Sequence, residues 1–379
     1  MKIKIIGMVL LLSILLSGCN YTDGRYVSVV PHEKTDLIQG DQTVQPSNFV
    51  QLRATLQDII RSGVTESVID ISRFQPEEVE DSLDEAIRYV KSNYPIAAYG
   101  VKDITYEVGT RAGAPAIAIR IDYRHSDVAI RQILSVSGMN QAKDVIANAL
   151  ENCATGVVLM IRGYYDMDVA QYVSDYAQEH PESVMEIPEV AAAVYPDTGT
   201  DRVLELRFTY QNSREKLRKM QDEVAPVFAS AELYVSGAGD SQRKYTMLYA
   251  ILTERFSYEY DIVTSITPSY SLLIHGVGDE KAFAVVYSYM CRRAGLECMV
   301  VTGTYNGEPH TWNIVCNDGI FSHVDLLQCY RQGRFEMNSD QNMVGYVWDY
   351  SAYPACVIPI QPTTDSTEPE PTDSPTDPT

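Results

Sequence analysis

Basic residues are scarce in this chain. Thirty Lys and Arg stand against 51 Asp and Glu in 379 residues, a formal net charge of −21. Such a balance excludes a nucleic-acid surface, because nothing offsets phosphate repulsion. It suits solubility in an exposed location. CxxC pairs are absent. Zinc-finger and thioredoxin-like readings therefore have no support, and neither a metal nor a cofactor is expected. A bilayer-spanning run is absent as well. The apolar stretch from Ile5 to Leu16 is too short to cross well.

That short run has a basic start, Lys2 and Lys4, and ends on Leu16-Ser17-Gly18-Cys19. The pattern resembles a bacterial lipobox, in which small residues precede the cut and a thiol accepts the lipid. The resemblance implies a signal peptide over residues 1–18 and lipidation at Cys19. The mature protein is then held on the extracytoplasmic face of a membrane by lipid alone. An ordinary secretory cleavage beside a chance Cys is the minority reading. Residues 19–46 are polar, with scattered Pro, Gly and Asp, and read as a tether. Six cysteines remain, five of them in the last third, at spacings that do not specify disulfides.

The body is expected to start at residue 47. Ser47 is the expected cap of a helix carrying Leu52, Leu56, Ile59 and Ile60, which Gly63 stops. Two similar segments follow, at about 64–150 and 154–232. Each reads strand, helix, two strands, helix. The first helix of copy one is led by Pro76. The matching strands end alike, Arg120 to Ser126 against Arg207 to Ser213, and both serines are expected N-caps. A duplicated α+β domain over 47–235 is the economical reading. Neither copy holds a catalytic cluster. The stretch Val235 to Asp240 reads as a linker, and a helix is expected from Gln242 to Glu259.

The most informative stretch runs from Gly276 to Asp325. It holds Gly276-Val277-Gly278-Asp279-Glu280, then Ala294-Gly295-Leu296, His310-Thr311-Trp312-Asn313 and Val324-Asp325. This resembles the transglutaminase-like fold of the papain-like cysteine enzymes. The resemblance covers about a third of the chain, with a domain expected over 240–360. It implies a cysteine opening a helix, a histidine base and an aspartate that orients it. Counted back from Ala294-Gly295, the cysteine position falls on Glu280. His310 and Asp325 match the other two members. Asn317-Asp318-Gly319 is a hairpin signal, and two turn registers keep His310 and Asp325 on one face. Asp279 and Trp312 are expected to line the cleft. Two carboxylates at a helix start are also ordinary helix caps. Beside His310, Glu280 would form an ion pair and raise the imidazole pKa.

The expected fold class is therefore α+β, a duplicated unit followed by a transglutaminase-like domain. The leading expectation is a lipid-anchored surface protein, with the domain kept as a module that binds or scaffolds a peptide or cell-wall ligand. Two alternatives stand beside it. One is an active hydrolase or acyl transferase using His310, Asp325 and a carboxylate-activated water. The other is a purely structural surface protein. The tail, residues 361–379, is acidic and rich in Pro and Thr and is expected to be disordered.

Overall fold

The structure, a computed structural model, describes residues 45–74, 79–258 and 266–357. The signal peptide, Cys19, most of the tether, Pro76 and the acidic tail lie outside the described residues. No helix among the described residues is long and apolar enough to cross a membrane.

Helix α1 (Phe49–Ser62) is capped by Asn48, whose side chain accepts from the Gln51 N–H, and ends on Gly63 at φ 69°. Ser47, the expected cap, therefore sits one residue before the actual one. The Asn48 backbone is extended, so its short amide reaches the free N–H groups of the first turn. The Gln51 side chain reaches back to the Ser47 N–H. Next come β1 (Glu66–Asp70), α2 (Val79–Asn93), a short α3 (Pro95–Gly100), β2 (Val101–Arg111) and β3 (Ala114–Tyr123). The strands form an antiparallel sheet in the order β1-β3-β2. The apolar stripes of α1 and α2 cover it, with Leu56, Ile60 and Leu83 packed against Ile69, Ile117 and Ile119.

After α4 (Asp127–Arg131), β4 (Leu134–Val136) and α5 (Met139–Glu151) a second layer follows. It comprises β5 (Gly156–Ile161), α6 (Val169–Glu179), β6 (Glu189–Tyr195), β7 (Arg202–Thr209) and α7 (Arg214–Val235). Its sheet has the order β4-β5-β7-β6, with β4 parallel to β5. The sequence reading omitted α3 and β4, and it anticipated α4 only through its Ser126 cap. Each is too short to show a period.

The third layer begins on α8 (Ser241–Arg255), capped by Asp240. It stops at Arg255, short of the expected Glu259, because Ser257–Tyr258 turns extended as β8 and pairs in parallel with β9 (Val277–Gly278). Between them α9 (Pro268–Tyr270) runs into one wide helical turn, Ser271–His275, and closes on Gly276 at φ 78°. Helix α10 (Glu280–Arg293) leads into β10 (Cys298–Tyr305), β11 (Glu308–Asn317), β12 (Ile320–Val324), α11 (Leu326–Gln332) and β13 (Tyr346–Val347). The sheet order is β12-β11-β10-β13.

This sheet is covered on both faces. One side packs Val315 and Val324 against α10, α8 and α7. The other packs Val301, Trp312 and Ile314 under Met343, Trp348 and Cys356. Hence His310 to Val315 are all buried, a continuous run that a one-sided strand would not show. Helix α10 is likewise buried all round from Ala282 to Ser288. Tyr289, the next residue, is half-buried. Leu217, Val224 and Phe228 of α7 share a core with α8 and α10. The Ser236 to Gly239 turn thus joins two helices of one core. Gly303 on β10 keeps this arrangement tight. A Cβ there would run into the Val347 carbonyl oxygen and the Trp312 ring.

Candidate functional site

The site is built where α10 starts. Asp279 has extended backbone, and its side chain accepts from the Ala282 N–H at 2.8 Å. It was expected to line a cleft; it is the helix cap instead, because an acid one residue before a helix meets the free N–H groups first. Glu280 is the first helical residue, and its side chain is 19% exposed. His310 enters from β11. Its Nδ1 lies 3.0 Å from Glu280 Oε2, and its Nε2 lies 2.6 Å from Asp325 Oδ2.

The hairpin sets this meeting. Asn317 pairs with Ile320, so Asp318 and Gly319 are the two loop residues, at φ 51° and 80°. Positive φ at both is what a tight hairpin turn demands. Of the two allowed registers this is the diagonal one. Asp325 follows β12 directly and caps α11, with Oδ1 accepting from the Gln328 N–H at 3.0 Å. Its Oδ2 also accepts from the Tyr346 hydroxyl at 2.6 Å. Tyr346 was not anticipated. It arrives from β13, whose pairing with Thr304 and Tyr305 places it over the imidazole. Its one sequence signal, a Tyr after Gly345, is too weak to single out.

Two carboxylates on one ring fix its charge. Burial alone would push the His310 pKa down, but the bonds to Asp325 and Glu280 raise it from 6.5 to about 9. For Asp325, burial works upward, yet His310, Tyr346 and the Gln328 N–H hold its carboxyl below the ordinary 3.8. Both ring nitrogens therefore donate, and at neutral pH the imidazolium has no lone pair to take a proton. Tyr258, also missed, stacks on Phe283 with ring centroids 3.8 Å apart. Its hydroxyl is buried without a partner among the described residues.

Trp312 was expected to line the cleft, and it does not. It is fully buried, because the second apolar layer covers its face of the sheet. Its indole N–H donates to His323 Nδ1 at 2.9 Å. His323 Nε2 then faces Asp340 Oδ1 at 2.8 Å. His323, Asp340 and Cys356 bring one donor atom each within 4.8 Å, a spacing worth testing for a metal. The donor set does not fit one. With Nδ1 accepting from Trp312, the ring proton sits on Nε2, where a metal would have to bind. Burial lowers the His323 pKa despite Asp340, in keeping with that neutral ring. The group is a hydrogen-bonded chain that satisfies a buried indole.

Residues 229–326 match the family model of the transglutaminase-like superfamily. The match starts inside α7 and holds Glu280, His310 and Asp325, but not Tyr346. No curated protein sequence is significantly similar to the chain. Among solved structures, a candidate cysteine protease from Cytophaga hutchinsonii is 12% identical, with a TM-score of 0.26 over 40% of this chain and 65% of that one. A structure described as a TGase is 12% identical, with a TM-score of 0.25 over 45% and 50% of the two chains. A candidate protease from Parabacteroides distasonis ATCC 8503 is 11% identical, with a TM-score of 0.23 over 57% and 47%. The chain thus spans 47% to 65% of the length of these proteins. Likeness at that level speaks to neither activity nor substrate.

Proposed function

We propose that this chain is a lipid-anchored extracytoplasmic protein whose transglutaminase-like domain binds a peptide or cell-wall ligand without turning it over. One observation carries the second half: both ring nitrogens of His310 are held by carboxylates. In this reading Glu280 occupies the nucleophile position of the family. A carboxylate attacks an amide poorly, and its acyl product would be a labile anhydride. The histidine is charged at neutral pH and cannot serve as the base. Cys291 cannot stand in, since eleven residues of α10 separate it from Glu280 by about 16 Å. The rival reading, a carboxylate-activated water, would make Glu280 the base, and that carboxylate is already paired with the charged His310 ring at 3.0 Å. The purified chain should therefore release no amine from glutamine-containing or cell-wall peptides. Turnover that His310→Ala abolishes would overturn this.

The anchor half rests on Leu16 to Cys19 alone. Cys19→Ala should leave precursor or release soluble protein; unchanged membrane fractionation would sink it. We also infer that the two N-terminal segments arose by duplication. Supporting this are the matching orders β1-β3-β2 and β5-β7-β6. So are the caps: Ser126 at φ −66°, ψ 155° and Ser213 at φ −67°, ψ 155° each accept from the N–H three residues on. Crystallographic superposition of residues 66–123 on 156–209 should overlay the strands in that order, and a different overlay refutes it.

A further inference from the structure

Helix α10 has a second working face. At about 100° per residue, Lys281, Ala282 and Val285 point away from Glu280. They wall a cavity of about 100 Å³ against α6 and α9, closed by Ala177, Gln178 and Thr267 among others. Most of its wall is apolar, and Ile187, an exposed isoleucine, stands at its rim.

Two polar groups in this cavity lack partners among the described residues. Thr267 is 4% exposed, and its hydroxyl is buried without a hydrogen bond. Its backbone is fixed, since the N–H donates to the Met185 carbonyl at 2.8 Å. A Thr at a helix start ordinarily spends its hydroxyl on capping; this one makes no such bond. An unmet buried hydroxyl is costly, so a group that meets it gains. Lys281 is half-buried and forms no ion pair among the described residues. An ammonium, a lone hydroxyl and a small apolar wall are complementary to an anion with a short aliphatic body.

We propose that this cavity binds a carboxylate bearing a small aliphatic group, the free C-terminus of a peptide ending in a small residue. Lys281 meets the carboxylate, Thr267 donates to it, and Ala177, Ala282 and Val285 take the side chain. Size sets the specificity. A cavity of roughly 150 Å³ holds benzene, so this smaller one admits a methyl or isopropyl group and refuses an aromatic ring. The choice of a peptide as source rests on the binding reading above; a free short-chain acid offers the same chemistry.

The test is calorimetric titration of the full chain with four probes: acetyl-Ala-Ala, its C-terminal amide, acetyl-Ala-Phe and propionate. Saturable binding of acetyl-Ala-Ala is expected, with the amide and the Phe peptide about tenfold weaker or worse. Lys281→Gln, at a half-exposed position that leaves the core intact, should weaken binding about tenfold. Thr267→Val, which keeps the shape, should weaken it several-fold. Propionate binding as tightly as the peptide supports the site and assigns it to the free acid. Absence of saturation by any probe overturns the proposal, as does equal binding of acid and amide. Loss of binding on Glu280→Gln but not on Lys281→Gln overturns it too, and moves the ligand to the histidine cleft. The binding reading of that cleft survives the first two failures.

Discussion

In a Glu280→Cys variant, iodoacetamide should label residue 280 at pH 7 about ten- to a hundredfold faster than any native cysteine. The new thiol would open α10, where free N–H groups and the helix dipole favour a thiolate. His310 lies beside it and, once Glu280 is gone, keeps its Asp325 partner. Burial pushes Cys329 up to about 11 and Cys356 up to about 12. It raises Cys291 well above its ordinary 9.0, and Cys153 and Cys316 above it too. The labelling rate at residue 280 should fall again in the double variant with His310→Ala. An unperturbed thiol pKa at residue 280, indifferent to His310→Ala, would show that these side chains do not form one site.

The largest loss of stability should come from Asp325→Ala, about 3–5 kcal/mol by urea denaturation at pH 6. The substitution leaves a buried imidazolium with one partner, strips the Tyr346 hydroxyl of its acceptor and removes the cap of α11. Asp325→Asn keeps a cap and an acceptor, so it should cost less. A loss under about 1 kcal/mol for Asp325→Ala would fit only an exposed ion pair. The pH dependence has a fixed sign. The His310 pKa is raised on folding, so its contribution is complete below 6.5 and is lost as pH rises through about 9. Asp325 is lowered, so its contribution is present above 3.8 and is lost as pH falls through the lowered value. Stability should therefore be greatest between those limits, and His310→Gln should flatten its alkaline edge.

Much of this site was legible because its parts are local in sequence. The Asn317-Asp318-Gly319 turn limited the hairpin to two useful registers, and both brought His310 to Asp325. Glycines followed by an acid announced the start of α10. What failed involved a second covering layer. Trp312 reads as a cleft residue only if its face of the sheet is open. Met343, Trp348 and Cys356 close that face from a stretch with almost no regular structure, so no periodicity revealed it. Tyr346 was missed for the same reason, since a two-residue strand carries no pattern. Asp279 against Glu280 was a matter of one position, and helix boundaries are the least certain part of any sequence reading.

The protonation state of His310 is the most direct test of a non-catalytic site. Heteronuclear NMR of the histidine-labelled chain, with His310→Gln to assign the signal, gives it without any substrate. A doubly protonated ring at pH 7.5 that titrates near 9 is expected. A neutral ring at pH 7, titrating at or below 6.5, would contradict it, because His310 would then be free to act as a base.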